Sequence, residues 1–276
     1  MKIKKIGIIF FILQNILSAG MPPAQIGMSP GHFEITYDGK SKTHSLKLMN
    51  YSNRTIHARI SLGNWTLNNT ELVEISPTPQ SLDQWILITP VNFKVAPKKT
   101  QTIRFAIRPR TKPLSGEHRA MIWINEVPSS DNQKGMNTKF RLGVGVYLNV
   151  PPIHPKGKLN TMATKVEKNS IKVSLNYTNK GNVHDRLHGH LSLWKANTKL
   201  SKKDRNEIVS KKKVHKDLIS QIPLPAKPIL AKLKKRVDMF LAKPTKKGKY
   251  LIYLNGKFKN NVEFSKEKVI TIKSTK

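Results

Sequence analysis

The chain has 276 residues, with 50 Lys+Arg against 16 Asp+Glu for a formal net charge of +34, and no cysteine. That length accommodates one large domain or two of ordinary size. The missing cysteine excludes disulfide frameworks, zinc ribbons, iron–sulfur clusters and cysteine nucleophiles. In chain order, Lys2, Lys4 and Lys5 precede an apolar run from Ile6 to Leu13, and Ser18-Ala19-Gly20 closes the segment. This layout predicts a cleaved signal peptide over residues 1–20. The run is too short and too interrupted to span a bilayer as a helix, so an exported chain with no integral membrane association is expected.

From Gln25 onward, short β-type runs alternate with turn residues, the pattern of an all-β sandwich. Strands are predicted over 33–37, 44–49, 56–62, 85–90, 93–97, 102–107 and 121–128, then one long strand over 139–150. No helix is predicted in this stretch. Pro151-Pro152-Ile153-His154-Pro155 reads as a stiff connector. A second set follows over 171–177, 190–194, 236–241, 250–254 and 269–272. Between them, residues 200–218 read as a Lys-rich insertion, weakly helical or mobile. The predicted organisation is a signal peptide (1–20), an N-terminal β-sandwich domain (21–150) and a basic C-terminal β-sandwich domain (151–276).

The charge is uneven. Residues 1–150 carry 19 Lys+Arg and 8 Asp+Glu, a net of +11, and residues 151–276 carry 31 and 8, a net of +23. Such a balance suits a polyanionic partner or a solvated basic surface. Export argues against nucleic acid. No HExxH, GxSxG, Walker loop, dinucleotide fingerprint or paired-carboxylate signature occurs, so no enzyme and no cofactor are expected. His184, His188 and His190 lack a fourth ligand at suitable spacing, and no metal site is assigned.

In the long strand, Phe140, Leu142, Val144, Val146, Leu148 and Val150 alternate with Lys139, Arg141, Gly143, Gly145, Tyr147 and Asn149. One face is a six-position apolar row, as any sandwich strand also shows. On the other, Gly143 and Gly145 suit close approach of a neighbouring element.

The order of features resembles that of periplasmic pilus chaperones, the PapD-like partners of chaperone–usher systems. The residues that carry this are Asn50-Tyr51-Ser52-Asn53, then Ile88-Thr89-Pro90 leading to Phe93-Lys94-Val95-Ala96-Pro97-Lys98-Lys99-Thr100-Gln101-Thr102-Ile103-Arg104. Gly116-Glu117-His118-Arg119 resembles the "GEYR" of the non-classical branch, and Glu126-Val127-Pro128 closes that strand. Asn179-Lys180-Gly181-Asn182 with Gly189, Pro223-Leu224-Pro225 and Lys247-Gly248-Lys249-Tyr250 resemble the second-domain motifs. The resemblance implies two immunoglobulin-like β-sandwich domains in a boomerang arrangement. It implies a periplasmic chaperone that binds pilus or fimbrial subunits by donor-strand complementation and delivers them to an outer-membrane usher. The 139–150 strand would be the edge strand that lends backbone hydrogen bonds and fills the subunit's groove, so Val144→Asp is expected to leave the fold intact and abolish capture. The family's basic pair that anchors the subunit's C-terminal carboxylate falls near Glu34, with His32 nearby, and around Val144 to Val146; neither position is basic. Arg104, Arg119 and Arg141 are the candidate substitutes, with Arg119 beside Glu117 also suited to a structural ion pair. The alternative reading is an exported β-sandwich module binding an anionic surface glycan or lipopolysaccharide, and a third is a structural component of a surface assembly.

Overall fold

The computed structural model describes residues 25–68, 71–127 and 139–273; the predicted signal peptide lies outside them. The first half is a sandwich of two sheets. One sheet has the order β1 (Ile26–Ser29), β3 (Thr43–Asn50), β8 (Thr100–Ile107), β6 (Ile86–Thr89). The other has the order β2 (His32–Thr36), β10 (Arg141–Val150), β9 (Gly116–Glu126), β4 (Ile56–Asn68), β5 (Glu71–Ile75), with β7 (Asn92–Val95) pairing the start of β4. The alternation predicts these faces well. In β3, Leu46 and Leu48 are buried around exposed Lys47, and in β8, Ile103, Phe105 and Ile107 are buried around exposed Arg104. These meet Ile122 and Ile124 of β9 in one apolar core, each side chain contributing roughly 1.5–3 kcal/mol.

The second half repeats the architecture. One sheet is β11 (Gly157–Val166), β12 (Ser170–Asn179), β15 (Lys234–Ala242); the other is β14 (Leu218–Pro223), β13 (His188–Lys195), β16 (Gly248–Lys257), β17 (Glu263–Ile272). Its separate core is built on Val173, Leu175, Leu193, Ile252 and Leu254. The molecule is therefore an all-β protein of two sandwiches.

Three differences from the sequence reading have local causes. Within the 200–218 segment, α1 (Lys202–Ser210) is an ordered helix. Ser201 and Asp204 form a reciprocal capping box at its start, and Val209 is buried against Trp194 and Tyr253. The few apolar residues of this Lys-rich stretch, Val209 with Leu200, Ile208 and Leu218 beside it, suffice once a cap and two aromatic rings receive them. β11 escapes a period-two reading because its register slips between Leu159 and Thr161, which moves later side chains out of phase. β4 continues past residue 62, where the predicted strand ends, through Gly63 and Asn64 into the hairpin with β5.

Two buried asparagines explain why Asn50 and Asn179 recur at corresponding turns. Asn50 donates to the carbonyls of Arg54 (2.7 Å) and Val95 (3.0 Å) and accepts from the Ser52 N–H. Asn179 donates to those of Val183 (2.8 Å) and Ile229 (2.9 Å) and accepts from the Gly181 N–H. Each side chain satisfies loop carbonyls that burial would otherwise orphan. Asn182 pins the connector, donating to the Pro152 carbonyl and accepting from the His154 N–H.

Gly189 sits at φ +148, and a Cβ there would lie 2.1 Å from the Asn255 carbonyl oxygen and 2.4 Å from the Gly256 Cα. Both obstacles are backbone of the paired strand β16. Gly189→Ala is expected to destabilise the second sandwich by roughly 2–5 kcal/mol, read as a lowered second-sandwich transition in thermal denaturation. An unchanged transition would contradict this account of the β13–β16 contact.

Candidate functional site

β10 positions the site. It pairs β9 along its whole length, from Arg141 opposite Asn125 to Val150 opposite Gly116. On its other side, β2 pairs it in parallel only from Gly145 to Asn149. Arg141 to Val144 therefore keep an unpaired edge among the described residues. The six-position apolar row needs correction in the same place. Val144, Val146, Leu148 and Val150 are buried in the sandwich's own core, and only Phe140 and Leu142 are partly exposed beside it. The unpaired edge is short, because β2 covers the rest, and the core takes up the side chains from Val144 onward.

The outer face of the same sheet forms a cleft against the second sandwich. Trp65, Met121 and Tyr147 are buried there with Leu230. The Trp65 and Tyr147 rings meet edge to face at 5.8 Å. A cavity of about 290 Å³ opens over them, walled by Leu67 and Leu72 of the β4–β5 hairpin and rimmed by Arg186, Lys227 and Lys235. Burial holds the Lys235 ammonium below its ordinary range, and the nearby charge of Lys227 adds to this. An arriving anion would relieve that repulsion. The indole N–H of Trp65 is buried and finds no acceptor among the described residues. An apolar floor, a basic rim and a spare donor suit a ligand that joins an apolar body to an anionic end.

The family model for the PapD N-terminal domain of pili and flagellar-assembly chaperones matches residues 27–153. This segment, which takes in nearly all of the first sandwich, matches the PapD-type family of pilus chaperones. That is a family of chaperones rather than of enzymes. No curated protein matches the chain in sequence. Among solved structures, the chain is similar to the YadV chaperone, at 14% identity over 89% of this chain and 99% of that one, with a TM-score of 0.46. It is similar to the CsuC–CsuE chaperone–tip adhesion subunit pre-assembly complex of Acinetobacter baumannii, at 13% identity over 92% and 100%, with a TM-score of 0.45. The Salmonella enterica SafA pilin–SafB chaperone complex gives 14% identity over 91% and 99%, with a TM-score of 0.44.

Within the PapD-type domain, the three arginines proposed as carboxylate anchors do not converge. Arg104 is exposed on β8, in the opposite sheet. Arg141 stacks on Trp123 at 3.9 Å and pairs with Glu74 at 2.6 Å. Arg119 pairs with Glu117 at 3.1 Å, the structural role its sequence neighbour suggested, and lies 5.7 Å from the Trp65 ring centroid. Gly143 receives Trp123: a Cβ there would fall 2.7 Å from its ring. The close neighbour is thus a side chain of β9. Arg186, Lys227 and Lys235 carry no signal in the sequence, where they are three among 50 Lys and Arg. No helix among the described residues is long and apolar enough to cross a membrane.

Proposed function

We propose that the protein is a periplasmic chaperone that captures pilus-type subunits by lending them the free edge of β10 and passes them to an outer-membrane usher. The unpaired run Arg141–Val144, with Phe140 and Leu142 half-open beside it, is the observation that carries this reading. An incomplete sandwich would find there both backbone partners and two apolar side chains. The subunit's C-terminal carboxylate would then be held at the basic rim of the cleft, by Lys235 with Lys227 and Arg186, in place of Arg104, Arg119 and Arg141.

The test is an affinity pull-down of the tagged mature chain from its host's periplasm, washed at high salt and followed by mass spectrometry. A near-stoichiometric small β-protein is the expected client. Leu142→Asp should lower its capture roughly tenfold or more, since one apolar anchor contributes about 1.5–3 kcal/mol, and Lys235→Met should weaken it in a client with a free carboxylate. Capture that survives Leu142→Asp overturns the edge-strand reading.

A second reading has its own observation. The open face of the β11–β12–β15 sheet carries Lys158, Lys165, Lys172, Lys234 and Arg236 against Asp238. Retention of only an anionic glycan, lost at moderate salt, would favour that surface.

A further inference from the structure

The second sandwich has two ends. At one, His184 bonds Glu117 and Lys259 bonds Glu34 of the first sandwich. β13 and β16 pair antiparallel away from it, from His188 opposite Lys257 to Lys195 opposite Tyr250. The strands carry the far end roughly 25 Å further on. The β13–α1 connection, the segment after α1 and the start of β16 meet there. Lys195 donates its backbone N–H to the Asp217 carbonyl at 2.9 Å, and Ala196 donates to that of Lys249 at 3.2 Å.

Lysine crowds this end. Lys199, Lys216, Lys246, Lys247 and Lys249 are exposed and pair with no carboxylate among the described residues. The carboxylates nearby are engaged: Asp217 by Lys195 at 3.6 Å, and Glu207 of α1 by Lys211 and Lys213 at 3.1 Å each. Lys199 and Lys216 converge on an open hollow of about 370 Å³, walled also by Asn197, Leu200, His215 and Asp217. Next to it, between Lys213 and His215, Val214 is fully exposed. The loop that carries it is held in place. Lys212 and Lys213 donate their backbone N–H groups to the Val209 and Ile208 carbonyls at 3.2 and 2.9 Å, and the His215 ring packs 6.2 Å from Trp194. Lys212 takes φ +52 at the helix-ending position where glycine is favoured, so a charge stands where the backbone alone would choose none.

We infer that this far end of the second sandwich is a docking surface for an anionic lipid bilayer, with lipid phosphates at the lysines and Val214 entering between the headgroups. Charge complementarity supplies the attraction, about fivefold in binding for each lysine close to an anionic leaflet. The hollow between Lys199 and Lys216 suits one phosphate, with two ammonium groups turned to it. Val214 decides among polyanions. A soluble glycan or a free phosphate has no apolar layer to receive it, whereas the boundary between headgroups and acyl chains does. A folded protein partner would need a pocket shaped to the loop, and a bilayer yields to it. One valine and a basic patch, with no acyl chain, make a peripheral and salt-sensitive contact. Docked in this way, the second sandwich stands on the membrane, and the junction and its cleft lie at the opposite end. The surface is separate from the open face of the β11–β12–β15 sheet, and the inference does not rest on client capture.

The test mixes the mature chain with vesicles of phosphatidylglycerol and phosphatidylethanolamine, with phosphatidylcholine vesicles as the neutral control. Co-sedimentation with the anionic vesicles alone is expected, and its loss at about 0.5 M salt. Lys246→Glu combined with Lys247→Glu should lower the partition roughly 25-fold or more. Val214→Ser should lower it roughly fivefold while leaving binding to dextran sulfate, a soluble polyanion, unchanged. All three positions are exposed, so the fold is kept. Since the chain has no cysteine, Val214→Cys carries a single polarity-sensitive dye. Its emission should rise and shift to the blue on anionic vesicles, and the same dye on Leu114→Cys, exposed in the first sandwich, should stay silent. Absence of binding to the anionic vesicles would overturn the inference. So would a silent dye at position 214 with dextran sulfate still bound, which would mark a general polyanion surface instead.

Discussion

Val144→Asp is expected to unfold the first sandwich, and Leu142→Asp, two residues away on the same face, to leave it folded. Val144 is fully buried among the apolar side chains of both sheets. An aspartate there is a carboxylate with no partner in a dry core, or a neutral acid that must take up a proton to stay. The cost exceeds about 4 kcal/mol, a large part of the roughly 5–15 kcal/mol that holds a typical domain. Leu142 is only partly buried, at the end where β2 no longer covers β10. Its carboxylate can turn to water, and the expected loss is about 1 kcal/mol. Circular dichroism and thermal denaturation read the difference. If Val144→Asp melted like the parent chain, the assignment of Val144 to the first sandwich's own core would fail. The contrast makes Leu142, not Val144, the residue whose loss of capture can be read as loss of binding.

That contrast shows what a sequence can and cannot report about this site. The alternation from Phe140 to Val150 reveals a strand with one apolar face, because side-chain direction follows backbone geometry alone. It is silent on what covers that face. Coverage depends on β2, more than a hundred residues earlier, and on the register that stops pairing at Gly145. Most of the strands, the two-sandwich organisation and the turn asparagines are legible for the same local reason, while β11 and the β4–β5 hairpin are not. The cleft is not. Its rim draws on Arg186, Lys227 and Lys235, and its floor on Trp65, Met121 and Tyr147, six residues with no shared spacing. Glu117 and Arg119 were legible as a pair only because they are neighbours on one strand face. That the other oxygen of Glu117 holds a histidine 67 residues away could not be read from either segment.

The Glu117 junction also sets the protein's response to acid. The Glu117 side chain is fully buried. Burial alone would raise its carboxyl, but the hydrogen bonds and charge of His184, with Arg119 behind them, bring it below the ordinary range. For Glu34 burial again opposes, and Lys259 and His184 outweigh it, lowering the group from 4.5 to about 2. A carboxyl depressed in the folded state contributes its full stability above the unfolded value. Below that value the unfolded chain takes up the proton first, and the contribution drains away until the folded group protonates as well. Stability from Glu34 is therefore expected to fall as the pH drops from 4.5 toward about 2, and Glu34→Gln should flatten this part of the curve. Glu117→Ala is the severe case. It strips Arg119 of its partner and leaves the buried His184 ring and backbone N–H without their acceptor, at a cost of about 3–5 kcal/mol, or roughly 10 °C in melting temperature. A Glu117→Ala chain that kept the parent's melting temperature and acid slope would show that the junction's charges contribute nothing to holding the sandwiches together.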